Sequence, residues 1–275
     1  IKLKDEGFTP EIVIAHPGWG ESLFVKDVWP DVRLGIYCEF FYNAFGADMN
    51  FDPEFSNDSL ETQCKLKIKN INNTLHFDLA DAALCPTQWQ ADSFPLPFRS
   101  KINVIHEGID TSILKPLMSS FIILDDRLRL DENSEVITFV NRNLEPYRGF
   151  HIFMRSLPKL LKLRPEAHVL IVGGVEAGYG PVPKNGTWKD QFGQEIYNLM
   201  SKSEWERVHF LGKIPYTTYI SLLQISSAHV YLTYPFVLSW SMLEAMSITC
   251  PIVASNTQPV SEVIVDRENG LLVDF

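Results

Sequence analysis

The chain is poor in cysteine and lacks the pattern that a disulfide frame or a metal knuckle needs. Its 275 residues hold four cysteines, Cys38, Cys64, Cys85 and Cys250, scattered and without a C-x-x-C pair. Such thiols read as reduced core residues of a cytoplasmic protein, and the cytoplasm is the expected compartment. No apolar run approaches the roughly 18 residues of a membrane span. No signal peptide, repeat or low-complexity tract is legible. Positive charge is also scarce. The net charge of −10 argues against bulk attraction to nucleic acid or anionic lipid and leaves room only for a local basic patch. No Asp-x-Asp pair stands at a convincing strand end, and Asp125-Asp126 falls in a charged stretch, so no metal is expected. What is present is apolar residue: 45% of the chain is hydrophobic and 21% charged, enough for two ordinary domains with cores of their own.

The second half has a regular beat. VITFVN (136–141), HVLIVGG (168–174), VHFLG (208–212), AHVYLTY (228–234), PIVAS (251–255) and the short GLLVDF (270–275) read as buried strands. Between them, helical spacing is predicted over 150–163 despite Pro158, over 194–202, over 215–224 with proline at its start, and over 259–265. A helix is also predicted after the LSWS turn, over Met242 to Met246. Strands alternating with helices imply a parallel, doubly wound sheet, with the ligand crevice at the carboxyl ends of its strands.

The residues with chemistry stand at those ends. Arg142 follows the first strand of this half and Arg148 lies in the next loop. Gly173 and Gly174 follow the second strand, Lys213 the third, and the LSWS turn with Ser239, Trp240 and Ser241 the fourth. Taken singly, each arginine is a solvated loop cation and the glycine pair is strand-end geometry. Together they offer two guanidiniums, bare backbone, an ammonium and a helix N-terminus whose free N–H groups favour anions. That constellation suits a diphosphate. Glu244, in the first turns of the same helix, is too negative for phosphate but can accept hydrogen bonds from sugar hydroxyls; its plainer reading is a solvated helix carboxylate. The glycine- and proline-rich stretch from Gly178 to Gly186 is a long loop at the same edge, read as a mobile flap.

The first half is α/β but less regular. Strands are expected at 11–16, 32–40, 80–86 and 101–108, with helices over 21–28 and within 59–79. His16 ends one strand, where an imidazole can reach a ligand; a lone histidine is more often structural. Glu39 ends the next, and Phe40, Phe41, Tyr42 and Phe45 form an aromatic group read mainly as core. The charged stretch from 111 to 135 carries no periodic apolar face and reads as a linker between an amino-terminal lobe (1–110) and a carboxyl-terminal lobe (136–275).

Taken in order, these segments resemble the retaining glycosyltransferases of the GT-B fold, sequence family 4. KINVIHEGIDTSILKP is similar to the family's lobe-crossing signature, and VNRNLEPYRG to its donor loop. LIVGG, VHFLGKIP and LEAMSITCPIVAS are similar to later donor-lobe motifs. The resemblance covers nearly the whole chain and implies two Rossmann-like lobes with parallel sheets and a ligand cleft between them. It also implies an incomplete amino-terminal lobe, since the family's first strand and Gly-rich loop are missing, as are its usual last helices.

The resemblance further implies roles. Arg142 and Arg148 would bind and stabilise the departing diphosphate. Glu244 would be the second Glu of the E-x(7)-E motif and hold the ribose. Backbone at Lys213 and Ile214 would read the base, and amides of Ser239 to Ser241 would touch phosphate or sugar. His16 would contact the transferred sugar. The first Glu of the motif falls on Phe236, which cannot hold sugar hydroxyls. The implied activity is retaining, metal-independent transfer of a hexose from a nucleoside diphosphate sugar, with UDP-sugars favoured, in polysaccharide biosynthesis. The implied partners are a nucleotide sugar and a glycan or lipid-linked hydroxyl acceptor, with peripheral membrane association left open, no nucleic acid and no cofactor. A nucleotide-sugar epimerase on the same fold is one alternative; a non-catalytic nucleotide-sugar-binding subunit, suggested by Phe236, is another.

Overall fold

A computed structural model describes every residue except 57, 58 and 126. The chain forms two compact units: Ile1–Gly108 with Pro235–Val237, and Ile109–Tyr234 with Leu238–Phe275. Asp126, one of the pair weighed as a metal signature, lies outside the described residues.

The first unit is built on four parallel strands, β1 (Ile12–Ala15), β2 (Arg33–Tyr37), β3 (Ala82–Cys85) and β4 (Ile102–Val104), in that spatial order. Its core gathers Leu34, Ile36, Phe77, Ala83, Phe94 and Ile102. Cys38 and Cys85 are buried there, as read from the sequence, whereas Cys64 is exposed, against that reading; burial pushes the Cys38 thiol up to about 12. The expected 59–79 helix is two helices, Leu60–Lys69 and Ile71–Leu79. They meet at Asn70, whose side-chain amide pairs with both backbone groups of Tyr42 at 2.9 and 2.8 Å. An asparagine that satisfies a distant backbone in this way ends one helix and starts the next. Of the helix expected at 21–28 only Val25–Val28 forms, preceded by a 3-10 turn at Pro17–Trp19.

The second unit carries a six-stranded parallel sheet in the order β12-β11-β10-β7-β8-β9. The strands are β7 (Val136–Asn143), β8 (His168–Gly174), β9 (Val208–Gly212), β10 (Ala228–Tyr231), β11 (Ile252–Ser255) and β12 (Leu271–Val273). The chain enters at β7, winds outward through β8 and β9, then returns to pair β10 with the other edge of β7. The order therefore reverses between β7 and β10, the place where doubly wound sheets open a crevice at their carboxyl ends. β7 is buried over its first six residues, as a strand covered on both faces must be. The Phe150–Leu163 helix packs Phe153, Met154, Leu157 and Leu161 inward and runs through Pro158 without breaking. Four buried apolar side chains, each worth roughly 1.5–3 kcal/mol, outweigh a proline cost of about 3 kcal/mol.

The 111–135 stretch differs from its expectation as a linker without an apolar face. It folds as an antiparallel hairpin, β5 (Phe121–Leu124) with β6 (Leu128–Asp131). Leu114, Ile122 and Leu130 enter the core of the second unit. The helix expected at 194–202 lies earlier, at Trp188–Tyr197, followed by a separate turn of helix at Lys202–Trp205. Each begins at a reciprocal capping box, Thr187 with Asp190 and Ser201 with Glu204, a start signal written in the sequence as T-x-x-D and S-x-x-E. The last predicted helix shortens to Gln258–Ser261. Among the described residues, no helix is long and apolar enough to cross a membrane.

Candidate functional site

At the carboxyl edge of the second unit's sheet lies a pocket of about 490 Å³, within the usual range of small-ligand sites. Four loops build it. β7 contributes Asn141 and Arg142, β8 Gly173, the loop after β9 Lys213 and Ile214, and the turn into the Trp240–Ser247 helix contributes Ser239, Trp240 and Ser241. Eight of the residues singled out from the sequence thus share one cavity, with Glu244 the eighth. Tyr216 and Tyr219 complete its wall.

Arg142 is exposed at the end of β7 and free to reach a ligand. Lys213 is exposed too, but its Nζ is held by Glu176 at 2.9 Å. That pair lies directly over Gly174: a Cβ there would meet Glu176 Oε2 at 2.0 Å and Lys213 Cε at 2.7 Å. The space beside Gly174 is thus taken up by this ion pair. Gly173, at φ 157° and with Asn141 O 2.9 Å from its missing Cβ, lets the strand end turn beside the cavity.

The helix N-terminus is formed as expected. Ser239 is the N-cap and its Oγ accepts from the Ser241 N–H at 3.3 Å. The Ser239 N–H is spent, donating to the hydroxyl of the buried Tyr231 at 2.8 Å. The guanidinium of Arg148 also donates to that hydroxyl, and to Thr233 Oγ1 at 2.9 Å. Arg148 is only 7% exposed and does not line the pocket. It stands behind the pocket wall, joined to the helix start through Tyr231, whereas the sequence suggested a loop cation. Its guanidinium also lies 5.5 Å from the Tyr179 ring, within cation–π range.

Glu244 is buried and not solvated. Its two carboxylate oxygens accept separately from Tyr216 Oη at 2.7 Å and Tyr219 Oη at 2.6 Å. Loss of water, then the hydrogen bond and charge of Glu244, push the Tyr216 phenol up to about 12 and the Tyr219 phenol up as well. Sequence reading missed both tyrosines. Their signal was available: two phenols three residues apart share one face of the Tyr216–Gln224 helix that Pro215 opens.

The 175–187 loop is tied down where a flap was expected. Glu145, buried at the end of the β7 loop, accepts from the N–H groups of Tyr179 and Gly180 at 2.9 and 3.0 Å. Asn143 Nδ2 donates to Ala177 O at 3.3 Å, and Trp188 Nε1 to Pro181 O at 3.1 Å.

In the first unit, His16 caps the Pro17–Trp19 turn. Its Nδ1 accepts from the Gly18 N–H at 3.1 Å, and its Nε2 faces Glu39 Oε2 at 3.1 Å. A neutral ring with Nδ1 accepting carries its proton on Nε2, so it donates to Glu39 and has no lone pair left for a ligand. Trp19 stacks on it at 4.7 Å. Of the aromatic group, Phe40 is core and Phe45 is exposed. Phe236, 4% exposed, packs edge-on to Phe40 at 4.9 Å.

Comparisons with known proteins bear on the fold and the family. No curated protein sequence matches the chain. Among solved structures, HepE of Anabaena in complex with UDP and glucose is 17% identical with a TM-score of 0.65, covering 99% of this chain and 66% of its own. Sucrose-phosphate synthase of Thermosynechococcus elongatus is 15% identical with a TM-score of 0.68, covering 99% and 62%. TarM of S. aureus is 16% identical with a TM-score of 0.65, covering 99% and 47%. The chain thus spans between about half and two thirds of these proteins' lengths, and at such identities the likeness is one of fold. It is the two-lobed α/β GT-B glycosyltransferase fold that the sequence suggested. A family model described as glycosyl transferase family 4 group matches residues 1–114, and one described as glycosyl transferases group 1 matches residues 121–275. Since the latter match takes in more than half of its residues, the chain belongs to the glycosyl transferases group 1 family.

Proposed function

We propose that the protein transfers a hexose from a nucleoside diphosphate sugar, a UDP-sugar in the first instance, to a glycan or lipid-linked hydroxyl with retention of configuration. The single observation that carries this is the pocket of the second unit, where Arg142, the N-terminus of the Trp240–Ser247 helix and Glu244 face one cavity. A guanidinium and a helix start stabilise negative charge that develops on a departing diphosphate. Buried Arg148 backs them through Tyr231 rather than by touching the ligand. With Lys213 engaged by Glu176, backbone at Ile214 is the part of that loop suited to reading a base. HepE, solved with UDP-glucose, supports the choice of donor. Metal independence belongs to the same reading: a chelator should leave the transfer rate unchanged, and loss of activity restored by manganese or magnesium would contradict it.

A second reading, a nucleotide-sugar binder without turnover, draws on one observation. By the motif resemblance the family's first motif Glu would fall on Phe236, which is buried against Phe40; a phenyl ring there cannot hold sugar hydroxyls. The deciding experiment is a thermal-shift panel of UDP, GDP and ADP and their glucose or mannose derivatives, followed by product analysis with the donor that stabilises most. Transfer to an acceptor sustains the proposal. Stabilisation without transfer or hydrolysis across a broad acceptor panel favours the binder.

A further inference from the structure

Arg142 and Lys213 are the two cations on the pocket wall. The Lys213 ammonium is not turned to a ligand: it donates to Glu176 Oε1 at 2.9 Å, a group outside the cavity lining. The two partners are not equally mobile. Glu176 lies on backbone held on both sides. The Leu144 N–H donates to Gly174 O at 2.8 Å and Asn143 Nδ2 to Ala177 O at 3.3 Å. Beyond them the Tyr179 and Gly180 amides are bound by Glu145. Lys213 instead follows the end of β9 and carries its charge on a flexible stem. The carboxylate is the fixed partner and the ammonium the movable one.

Both side chains are more than half exposed, and a pair of that kind is weak because water solvates each ion separately. The hydrogen bond from Lys213 holds the Glu176 carboxyl below its usual range, so at neutral pH it is ionised and competes for the ammonium. A diphosphate in the cavity offers more negative charge and more acceptor oxygens than one carboxylate. Moving the ammonium across gives up a weak surface pair and gains a stronger charge-assisted contact. We infer that Glu176 is a counter-ion that parks Lys213 in the empty protein, and that the Lys213 ammonium passes to the donor diphosphate on binding and returns to Glu176 as the spent nucleoside diphosphate leaves. The inference rests on the donor reading above and deepens it. Lys213 is a further diphosphate ligand through its side chain. Glu176 does not touch the ligand; it is a positioning residue that tempers how tightly the diphosphate is held.

The test is a double-mutant cycle on the full chain. UDP, GDP and ADP are titrated calorimetrically into the wild type, and the tightest binder is carried through Glu176→Gln, Lys213→Ala and the double variant. Glutamine keeps the shape of the glutamate and removes its charge. Glu176→Gln should tighten binding about threefold or more, and Lys213→Ala should weaken it about fivefold or more. In the Lys213→Ala background the gain from Glu176→Gln should shrink to about 1.5-fold or less, since water screens the carboxylate from the anion itself. A gain of equal size in both backgrounds would mean that the carboxylate repels the anion without the ammonium, and would overturn the inference alone. Unchanged or weaker binding by Glu176→Gln would overturn it too, as would binding by Lys213→Ala as tight as that of the wild type. Failure of every nucleoside diphosphate to bind would instead sink the donor reading, and this inference with it.

Discussion

At the scale of single residues, the two arginines that the sequence set side by side have different work. Arg142 is exposed in the pocket, so Arg142→Ala should weaken nucleoside diphosphate binding at least tenfold, about 1.4 kcal/mol. Its unfolding free energy should stay within roughly 0.5 kcal/mol of wild type, as for other surface changes. Arg148 is buried with Thr233 and Tyr231 as partners. Removing a charged donor from such a place strands its acceptors, so Arg148→Ala should cost about 3 kcal/mol of stability as well as affinity. Calorimetry and urea unfolding of the two variants separate these outcomes; equal stability losses would contradict the assignment of burial and exposure.

At the scale of elements, the β7 loop and the 175–187 loop form one structure. The Glu145 carboxylate holds the Tyr179 and Gly180 amides, and a Cβ on Gly178 would meet Glu145 Oε1 at 2.1 Å. Gly178→Ala should therefore break at least one of these bonds, at a local cost of about 1–3 kcal/mol. Amide exchange at Tyr179 and Gly180 should quicken tenfold or more, while β7 and β8 keep their protection; unchanged exchange would mean the tether is incidental. This is also where legibility in the sequence divides. β7, β8 and the Phe150–Leu163 helix were readable because buried runs and a 3.6-residue period are local patterns. The edge at which Arg142, Lys213 and Ser239 meet followed from the alternation of strands with helices, which puts the crevice of a parallel sheet at its carboxyl ends. The Glu145 tether, the Tyr216–Glu244–Tyr219 contact and the Arg148–Tyr231–Ser239 link join residues from different loops and helices, and no local period records such pairings. The 111–135 hairpin was missed for another reason: Ile122 and Leu130 alternate with exposed neighbours over only four residues each, too short a run to stand out among charges.

At the scale of the whole molecule, the second unit hides histidines that resist charging. Burial lowers His229 to about 4 and lowers His168 and His209, which stack on each other 5.3 Å apart. Below the ordinary histidine value of about 6.5 the unfolded chain takes up protons that the folded one refuses, so stability falls as pH drops from about 6.5 towards 4. His229 alone accounts for roughly 3 kcal/mol over that window. In the first unit Asp48 works with the opposite sign: burial raises it to about 6, so its folded form gains protons first and its contribution declines as pH rises between about 4 and 6. Because Asp48 and His229 oppose each other over this window, the difference between variants is the test: the slope of the urea midpoint between pH 4 and 6.5 should be more positive in wild type than in His229→Gln, and identical slopes would contradict the burial of His229. The central claim, that the second unit's sheet edge is a donor diphosphate site, is tested most directly by calorimetric titration of UDP into the wild-type protein and into Arg142→Ala. The account predicts one site per chain in the wild type and an affinity at least tenfold lower in the variant. Equal affinities in the two proteins would contradict it.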